Sequence, residues 1–458
     1  MRQHVLVIGG GGREHALVWK LAQSPRVSRI TCVPGNPGIA ELADCLPLNP
    51  DPQSLADWAQ EQRVDLTLVG PEVHLAQGIA DVFAARGLLL FGPTRAAAEI
   101  EWSKVFAKGF MKRHGIPTAG YEVFHSLPEA LRYVEGRPEG PLVVKADGLA
   151  AGKGVVVAAG RAEARAALTG LLTRNGAGRE RPGQGPAGTP ESPVVVEEFL
   201  SGQEISVLCL TDGEHLLVMP PAQDHKALLD GDLGPNTGGM GTISPVPWVT
   251  AALLEEIERT VLRPAVAGLA SEGRPFRGVL FAGLMITAEG PRVLEFNSRF
   301  GDPETQALMV RLESDLFDLL QASVRGDLDR VQARWRDEAA ACVVLASEGY
   351  PGNYPKGRPI TGLEEASRLS GVAVFHAGTA LAPAAAVWQA AGGATQVTAG
   401  GIATPVVTAG GRVLGIAARG DDLADALDRC YQAANLVQFE GKQYRHDIGR
   451  RPAPPGPP

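Results

Sequence analysis

The residues best able to do chemistry together stand at 292–304: Arg292-Val293-Leu294-Glu295-Phe296-Asn297-Ser298-Arg299-Phe300-Gly301-Asp302-Pro303-Glu304. The stretch reads as a short strand running into a Gly-Asp-Pro turn. Side chains alternate across a strand, so Val293, Glu295 and Asn297 are expected on one face, with Leu294 and Phe296 on the other. If the chain stays extended, Arg299 joins the first face. The apolar face can anchor in a core. The polar face offers a carboxylate, an amide oxygen and a guanidinium in a row. Carboxylate and amide oxygens suit a hard cation such as Mg²⁺, and a guanidinium beside them suits a phosphate or carboxylate oxygen. For three polar residues alone, a surface strand end with one salt bridge is the simpler reading, so the rest of the chain has to decide.

Three other stretches carry polar chemistry. The strand Leu142–Lys145 leads into Ala146-Asp147-Gly148-Leu149-Ala150-Ala151-Gly152-Lys153-Gly154 and then the strand Val155–Ala158. Glycine lets a backbone approach closely and lysine supplies charge, so this loop reads as a flexible cover over phosphates. A plain hairpin with solvated lysines explains the loop equally well. It is not a Walker loop, since no Gly-Lys-Ser/Thr leads into a helix. Residues 220–241 form a long polar loop holding Asp224, His225, Lys226 and many glycines. A loop of that length inside a compact domain is usually functional or disordered; its carboxylate, histidine, lysine and glycines favour function, although His225 alone would read as an ordinary surface histidine. The run Gly9-Gly10-Gly11-Gly12 precedes a helical pattern. A dinucleotide fingerprint fails there, because Glu14 or His15 falls where the third glycine belongs and Val33-Pro34-Gly35 supplies no acid for a ribose. Backbone N–H groups at a helix start can still face a phosphate, with a tight structural turn as the close alternative.

The elements that must position these groups follow from periodicity. Residues 4–101 alternate strands (Val5–Ile8, Ile30–Val33, Leu66–Val69, Leu88–Phe91) with helical stretches (Ser54–Gln62, Leu75–Ala85), which implies a parallel sheet covered on both faces. Ligands in such sheets sit at the carboxyl ends of the strands, where Gly9–Gly12, Pro34–Gly38 and Gly70–Glu72 fall. Further on, Ser103–His114, Ala251–Ala270 and Ala307–Leu320 read as helices, and 204–210/216–219 and 279–286/292–296 as paired strands. Residues 338–447 read as a β-rich unit with a helix at Leu423–Ala434 and no catalytic constellation. The fold class is therefore α/β, with an N-terminal parallel-sheet (Rossmann-like) domain at 1–102, a central domain at 103–330 and a small mixed β-rich domain at 331–450. Arg174–Pro193 reads as an exposed insertion and 451–458 as a disordered tail.

With 458 residues, about three domains are expected. A formal net charge of −8 argues against a nucleic-acid or acidic-membrane surface. Five scattered cysteines without metal spacing fit a reducing cytosol, and no long apolar run suggests a signal peptide or membrane span. A cytoplasmic protein, binding neither nucleic acid nor membrane, is expected.

In order along the chain stand Gly10–Ala16, Pro34–Gly38, Gly70–Glu72, Phe91–Thr94, Val144–Val157, Glu197–Leu200, Pro220–Lys226, Gly234–Gly241, Glu295–Glu304 and Leu345–Gly352. As a set they resemble the ATP-grasp enzymes of the phosphoribosylamine–glycine ligase (glycinamide ribonucleotide synthetase) family. The resemblance implies a central ATP-grasp domain with a mobile lid at about 118–196. It implies ATP-dependent joining of glycine to 5-phosphoribosylamine through glycyl phosphate, in purine biosynthesis, by a monomer. By the same resemblance Lys104, Lys145 and Gly152 would contact ATP phosphates. Glu197, Glu198, Phe199 and Leu200 would meet adenine, and Glu204 the ribose. Glu295 and Asn297 would hold Mg²⁺ (or Mn²⁺). Arg299, Lys145 and Asp224 would act in catalysis. Gly11, Gly12, Asn36, Asp224, Lys226, Arg299 and Asp302 would hold the substrates. Four departures stand out. Gly283 lies where ATP-grasp enzymes generally place another acidic metal ligand, Trp102 precedes Ser103-Lys104 where a small residue is common, Ser298 replaces a common alanine, and the linker at 389–404 is longer and richer in Gly and Ala than the family's usual one. The rival readings are another ATP-grasp ligase, such as a biotin-dependent carboxylase subunit, and a non-catalytic nucleotide-binding protein on the same scaffold.

Overall fold

The computed structural model describes residues 2–48, 51–149, 154–173, 193–383, 395–397 and 403–450. Gly152, most of the insertion at 174–193, most of the linker at 389–404 and the tail at 451–458 lie outside them. The strand Gln3–Gly9 is apolar and buried on both faces because helices cover both sides. It sits in the middle of a five-stranded parallel sheet with the order Asp44–Cys45, Val27–Pro34, Gln3–Gly9, Leu66–Val69, Leu90–Phe91. The order reverses at Gln3–Gly9, so its carboxyl end opens at a switch point, and the glycine run lies there. The helix expected over Leu75–Ala85 is instead two, Glu72–Ala76 and Ile79–Ala85. Gly78 between them has φ +85°, a left-handed turn that stops the first helix.

Two antiparallel four-stranded sheets follow. One runs Tyr121–Phe124, Val194–Glu198, Leu142–Ala146, Val155–Ala158; the other runs Leu216–Val218, Gln203–Thr211, Gly278–Thr287, Gly290–Asn297. The helix from Ala251 reaches Ser271 but widens to π-type hydrogen bonding over Glu258–Leu262. Pro264 has no N–H to give to the turn before it, which accounts for the local change. The helix expected over Ala307–Leu320 is two helices, Glu304–Arg311 and Leu316–Arg325. Asp315 restarts the chain as an N-cap that accepts from Phe317 N.

The last sheet crosses the expected domain boundary. Its order is Gln223–Asp224, Gly241–Ser244, Ala339–Ser347, Arg412–Gly420, Val372–His376, with Lys442–Gln443 paired to Ala339–Ser347. Its first two strands come from the polar loop that local reading assigned to the central unit. The helix Glu304–Arg311, buried at every residue, packs beneath this sheet and against the helix Gly12–Leu21. One core therefore holds Val7, Leu17, Leu308, Ala340 and Phe375 together. No helix among the described residues is long and apolar enough to cross a membrane.

The seam between the first and last units contains a buried histidine pair. His376 N donates to His15 Nδ1 at 2.7 Å, and the rings lie 5.7 Å apart. Burial pushes His376 down to about 4 from 6.5, and burial with the neighbouring His376 pushes His15 well down. The unfolded chain therefore binds these protons more readily than the folded one, so stability falls as the pH drops from about 6.5 towards 4. We expect His376 alone to cost roughly 3 kcal/mol over that window. Urea midpoints measured between pH 7 and 4 should show this slope, and His376→Gln should flatten it; an equal slope in the variant would refute the assignment.

Candidate functional site

The strand Gly290–Asn297 carries the polar face, but not by simple alternation. Gly283 pairs with Glu295 and Leu284 with Val293, leaving Leu294 unpaired as a β-bulge. The bulge changes the faces. Val293 and Phe296, three residues apart, enter the same core, whereas Leu294 and Glu295 are both half-buried. The expected grouping of Val293 with Glu295 and of Leu294 with Phe296 is corrected accordingly. The bulge also frees the Leu294 carbonyl, which accepts from Lys145 Nζ at 2.9 Å.

Around Glu295 the charges are dense. Lys226 Nζ lies 3.2 Å from Glu204 Oε2 and 3.8 Å from Glu295 Oε1, bridging the two carboxylates. Glu204 above all, and then Glu295, hold the Lys226 ammonium charged well above its usual range. Burial pushes the Glu295 carboxyl upward, but the ammonium groups of Lys226, Lys145 and Lys104 outweigh it and hold it below the usual carboxylate range. The Glu295 side chain is still 43% exposed, so it faces an open cleft.

Lys104 follows Ser103, which caps its helix by accepting from Phe106 N at 3.1 Å. Asp147 accepts from Ser103 Oγ and from Val105 N, pinning the start of the glycine-rich loop to that helix end. Lys104 Nζ donates to Gly148 O at 3.0 Å. Lys145 Nζ pairs with Glu197 Oε1 at 3.0 Å. Glu197 thus turns its side chain inward, 3% exposed, while Glu198 faces outward against Arg137. Phe199 is 44% exposed beside them.

Arg299 reaches the cleft held by two carboxylates, with Nε 3.3 Å from both Glu72 Oε2 and Glu101 Oε1. Its second terminal nitrogen donates to Asn297 Oδ1 at 3.4 Å. Glu101 is anchored in turn, accepting from Ser298 N at 2.8 Å and Ser298 Oγ at 2.6 Å. The serine at 298 therefore supports Arg299 through Glu101 and points away from Glu295. Burial pushes the Glu101 carboxyl up against the pull of Arg299, and Arg299 itself stays firmly charged.

Deeper in the cleft, Asp224 is nearly buried, and burial with the nearby Glu304 raises its carboxyl well above the usual range. Asp302 faces the glycine run: a Cβ on Gly11 or Gly12 would lie within 3.9 Å or 3.7 Å of its carboxylate oxygens. Gln306 donates to Asp302 Oδ1 at 2.7 Å and Arg412 to Asp302 Oδ2 at 2.9 Å. Residues 338–447 hold no constellation of their own in the sequence reading, yet they send Arg412 here. Its other terminal nitrogen donates to Asp302 O at 2.8 Å and Gly238 O at 2.6 Å. The glycine run is less open than its composition suggests, because Gly11 N already donates to Glu14 Oε2 at 2.6 Å. Asn36 lies beside the run with its amide committed: Nδ2 donates to Gly10 O and His376 O, and Oδ1 accepts from Ile39 N.

The structure thus links Glu295, Asn297, Arg299, Lys104, Lys145, Glu204, Lys226, Asp224 and Asp302 through ion pairs, hydrogen bonds and neighbouring charges, with Gly11 and Gly12 beside Asp302; Glu204, Asp224 and Lys226 line one pocket with Gly283. Sequence reasoning gave no role to Glu72, Glu101, Glu304, Lys108 or Arg412. Glu72 ends the Gly70–Glu72 loop and Glu304 the quoted turn; Glu101, Lys108, which pairs with Glu197 at 2.8 Å, and Arg412 carry no local signal, because each matters through a partner far away in the chain. For a cation, Glu295 and Asn297 form a pair of hard oxygen donors at the cleft wall, which suits Mg²⁺. Among the described residues, no three His, Cys, Asp or Glu side chains cluster as a metal cage. Gly283, directly opposite Glu295, brings no ligand.

Residues 3–101, 102–305 and 340–451 match the N, ATP-grasp (A) and C domains of phosphoribosylglycinamide synthetase. The chain is 47% identical over 446 residues to a phosphoribosylamine–glycine ligase of Agrobacterium fabrum, covering 97% of each chain. It is 46% identical over 449 residues to a protein of the same name from Brucella melitensis, covering 98% of this chain and 97% of that one. The crystal structure of phosphoribosylamine–glycine ligase from Thermotoga maritima superposes with a TM-score of 0.78 at 32% identity, covering 97% of this chain and all of that one. A biotin carboxylase domain from Hydrogenobacter thermophilus, at 16% identity and a TM-score of 0.66, shares the fold.

Proposed function

Because the chain belongs to the phosphoribosylglycinamide synthetase family, we propose that its cleft runs that family's ligation with the residues described above. The protein is a ligase that forms a carbon–nitrogen bond. It joins glycine to 5-phosphoribosylamine at the expense of ATP, giving glycinamide ribonucleotide, ADP and phosphate in purine biosynthesis. The carboxylate oxygen of glycine attacks the γ-phosphorus and ADP leaves. The amine of the sugar then attacks the acyl carbon, phosphate leaves, and the amine loses a proton.

Lys104 and Lys145 take the phosphate oxygens of ATP, Glu204 accepts from the ribose hydroxyls, and the backbone of the segment Glu197–Leu200 meets adenine. Mg²⁺ held by Glu295 and Asn297 would supply charge neutralisation at the phosphates. Arg299, aimed by Glu72 and Glu101, stabilises the phosphoryl group in transit. Asp224 and Lys226 hold the amine and carboxylate ends of the small substrates. Asp302, beside Gly11 and Gly12, takes the sugar hydroxyls of phosphoribosylamine. Glycine's carboxylate is already ionised at neutral pH, so the first step needs no general base.

The observation that carries this reading is the convergence of Glu295, Asn297 and Arg299 with Lys104 and Lys145 on one side and Asp302 with the glycine run on the other. ADP release measured with ATP and Mg²⁺, with and without glycine and freshly made phosphoribosylamine, tests it. ADP formation that requires both, with glycinamide ribonucleotide as product, is expected. ADP formation indifferent to glycine would leave the fold but remove the ligase.

A further inference from the structure

Lys108 lies outside every motif of the nucleotide site, yet it is only 2% exposed. Its Nζ donates to Thr118 Oγ1 at 2.7 Å and pairs with Glu197 Oε2 at 2.8 Å. The other oxygen of that carboxylate is the one 3.0 Å from Lys145 Nζ. Thr118 Oγ1 donates to Val293 O at 2.6 Å, and Lys145 Nζ to Leu294 O at 2.9 Å. The contacts close a ring: Lys108, Glu197, Lys145, the bulge at Val293-Leu294, Thr118 and back to Lys108. The ring ties the sheet that holds Lys145 to the strand that holds Glu295. Two ammonium groups share one buried carboxylate, so the ring carries one net positive charge beside the cleft. Its geometry also leaves Lys145 an N–H donor beyond Leu294 O and Glu197.

We propose that Lys108 is a positioning residue for Lys145: by taking one oxygen of Glu197 it limits that carboxylate's hold on Lys145 and keeps the Lys145 ammonium available to the nucleotide phosphates. This rests on the reading of Lys145 as a phosphate contact. Without Lys108, Glu197 neutralises Lys145 alone, and ATP meets a site with one charge fewer. The groups facing the Lys108 ammonium are Glu197, Lys145 and the Tyr121 ring, 5.7 Å away. Burial, opposed by Glu197 and aided by Lys145, lowers its pKa to about 8, so its charge is lost as the pH rises through that value.

The test is steady-state kinetics of Lys108→Met and Lys108→Arg from pH 7 to 9.5, with Lys145→Met as reference. At pH 7, Lys108→Met should raise the KM for ATP roughly tenfold, about 1.4 kcal/mol, and leave the KM for glycine within about twofold. The native KM for ATP should climb above pH 8. That climb should be absent in Lys108→Met and displaced upward in Lys108→Arg, whose charge persists. Burial lowers Lys104 as well; a climb that persists in Lys108→Met has an origin other than Lys108 and would overturn the proposal. If Lys145→Met leaves the KM for ATP unchanged, the reading of Lys145 falls. If Lys145→Met raises it and Lys108→Met does not, the positioning role alone falls. Should Lys108→Met fail to fold, an unmoved climb in Lys108→Arg refutes the role and a displaced one supports it.

Discussion

Arg299→Ala is expected to lower kcat roughly 100- to 1,000-fold while changing the KM for ATP by only a few-fold. The reason is where Arg299 is held. Glu72 and Glu101 grip its Nε from two sides, and Glu101 is itself fixed by two hydrogen bonds from Ser298. A guanidinium constrained in this way costs little reorganisation when charge shifts in the transferring phosphoryl group. An interaction made chiefly in the transition state should appear in kcat and kcat/KM together. A variant that raised the KM for ATP at unchanged kcat would show uniform binding instead and defeat the role. Removing Arg299 also leaves Glu101 buried and unpaired, so thermal unfolding should be followed in parallel. Arg299→Lys, which keeps the charge but loses the fork, should fold and still lose most of kcat.

The second large effect is at Glu295. Glu295→Gln should raise the Mg²⁺ concentration needed for half-maximal activity by at least about tenfold and lower kcat/KM for ATP roughly 100-fold, because one of two hard oxygen donors loses its charge. The change has an additional consequence. Lys226 is held between Glu204 and Glu295, so removing one carboxylate lets it lean on Glu204 alone. The KM for ATP should therefore rise even at saturating Mg²⁺. An unchanged Mg²⁺ requirement in Glu295→Gln would remove Glu295 from the metal site. The opposite position, Gly283, offers no compensating ligand.

Much of this architecture follows from local patterns. Four of the five strands of the first unit, the helix after Ser103, the strand Leu142–Ala146 and the hairpin Gln203–Val218 follow from apolar runs and turn residues, whereas the two-residue strand Asp44–Cys45 is too short to show a pattern. The failures are equally physical. A strand's faces were inferred from a period of two, and a single unpaired residue, Leu294, shifts that period by one. Two pairs of helices read as single helices, one pair across Gly78 and one across Asp315, because an amphipathic repeat can continue through a left-handed turn or a new cap.

Residue types and their order along the chain already carry the kind of chemistry. Hard oxygen ligands, a guanidinium and phosphate-facing lysines are properties of residue types, and the ordered motifs imply the family. Which groups share the work is set by pairing and packing between distant segments. The polar loop pairs through Gln223–Asp224 and Gly241–Ser244 into the last sheet. That pairing carries Asp224 and Gly238 to Arg412, and Arg412 to Asp302. Glu72 and Glu101 meet Arg299 across about 200 residues of chain, and Lys108 meets Lys145 only through Glu197. Such partners leave no periodic or compositional trace. Each is chosen by sheet pairing and packing between distant segments, where the low dielectric of the interior makes a single carboxylate decide how two cations are aimed.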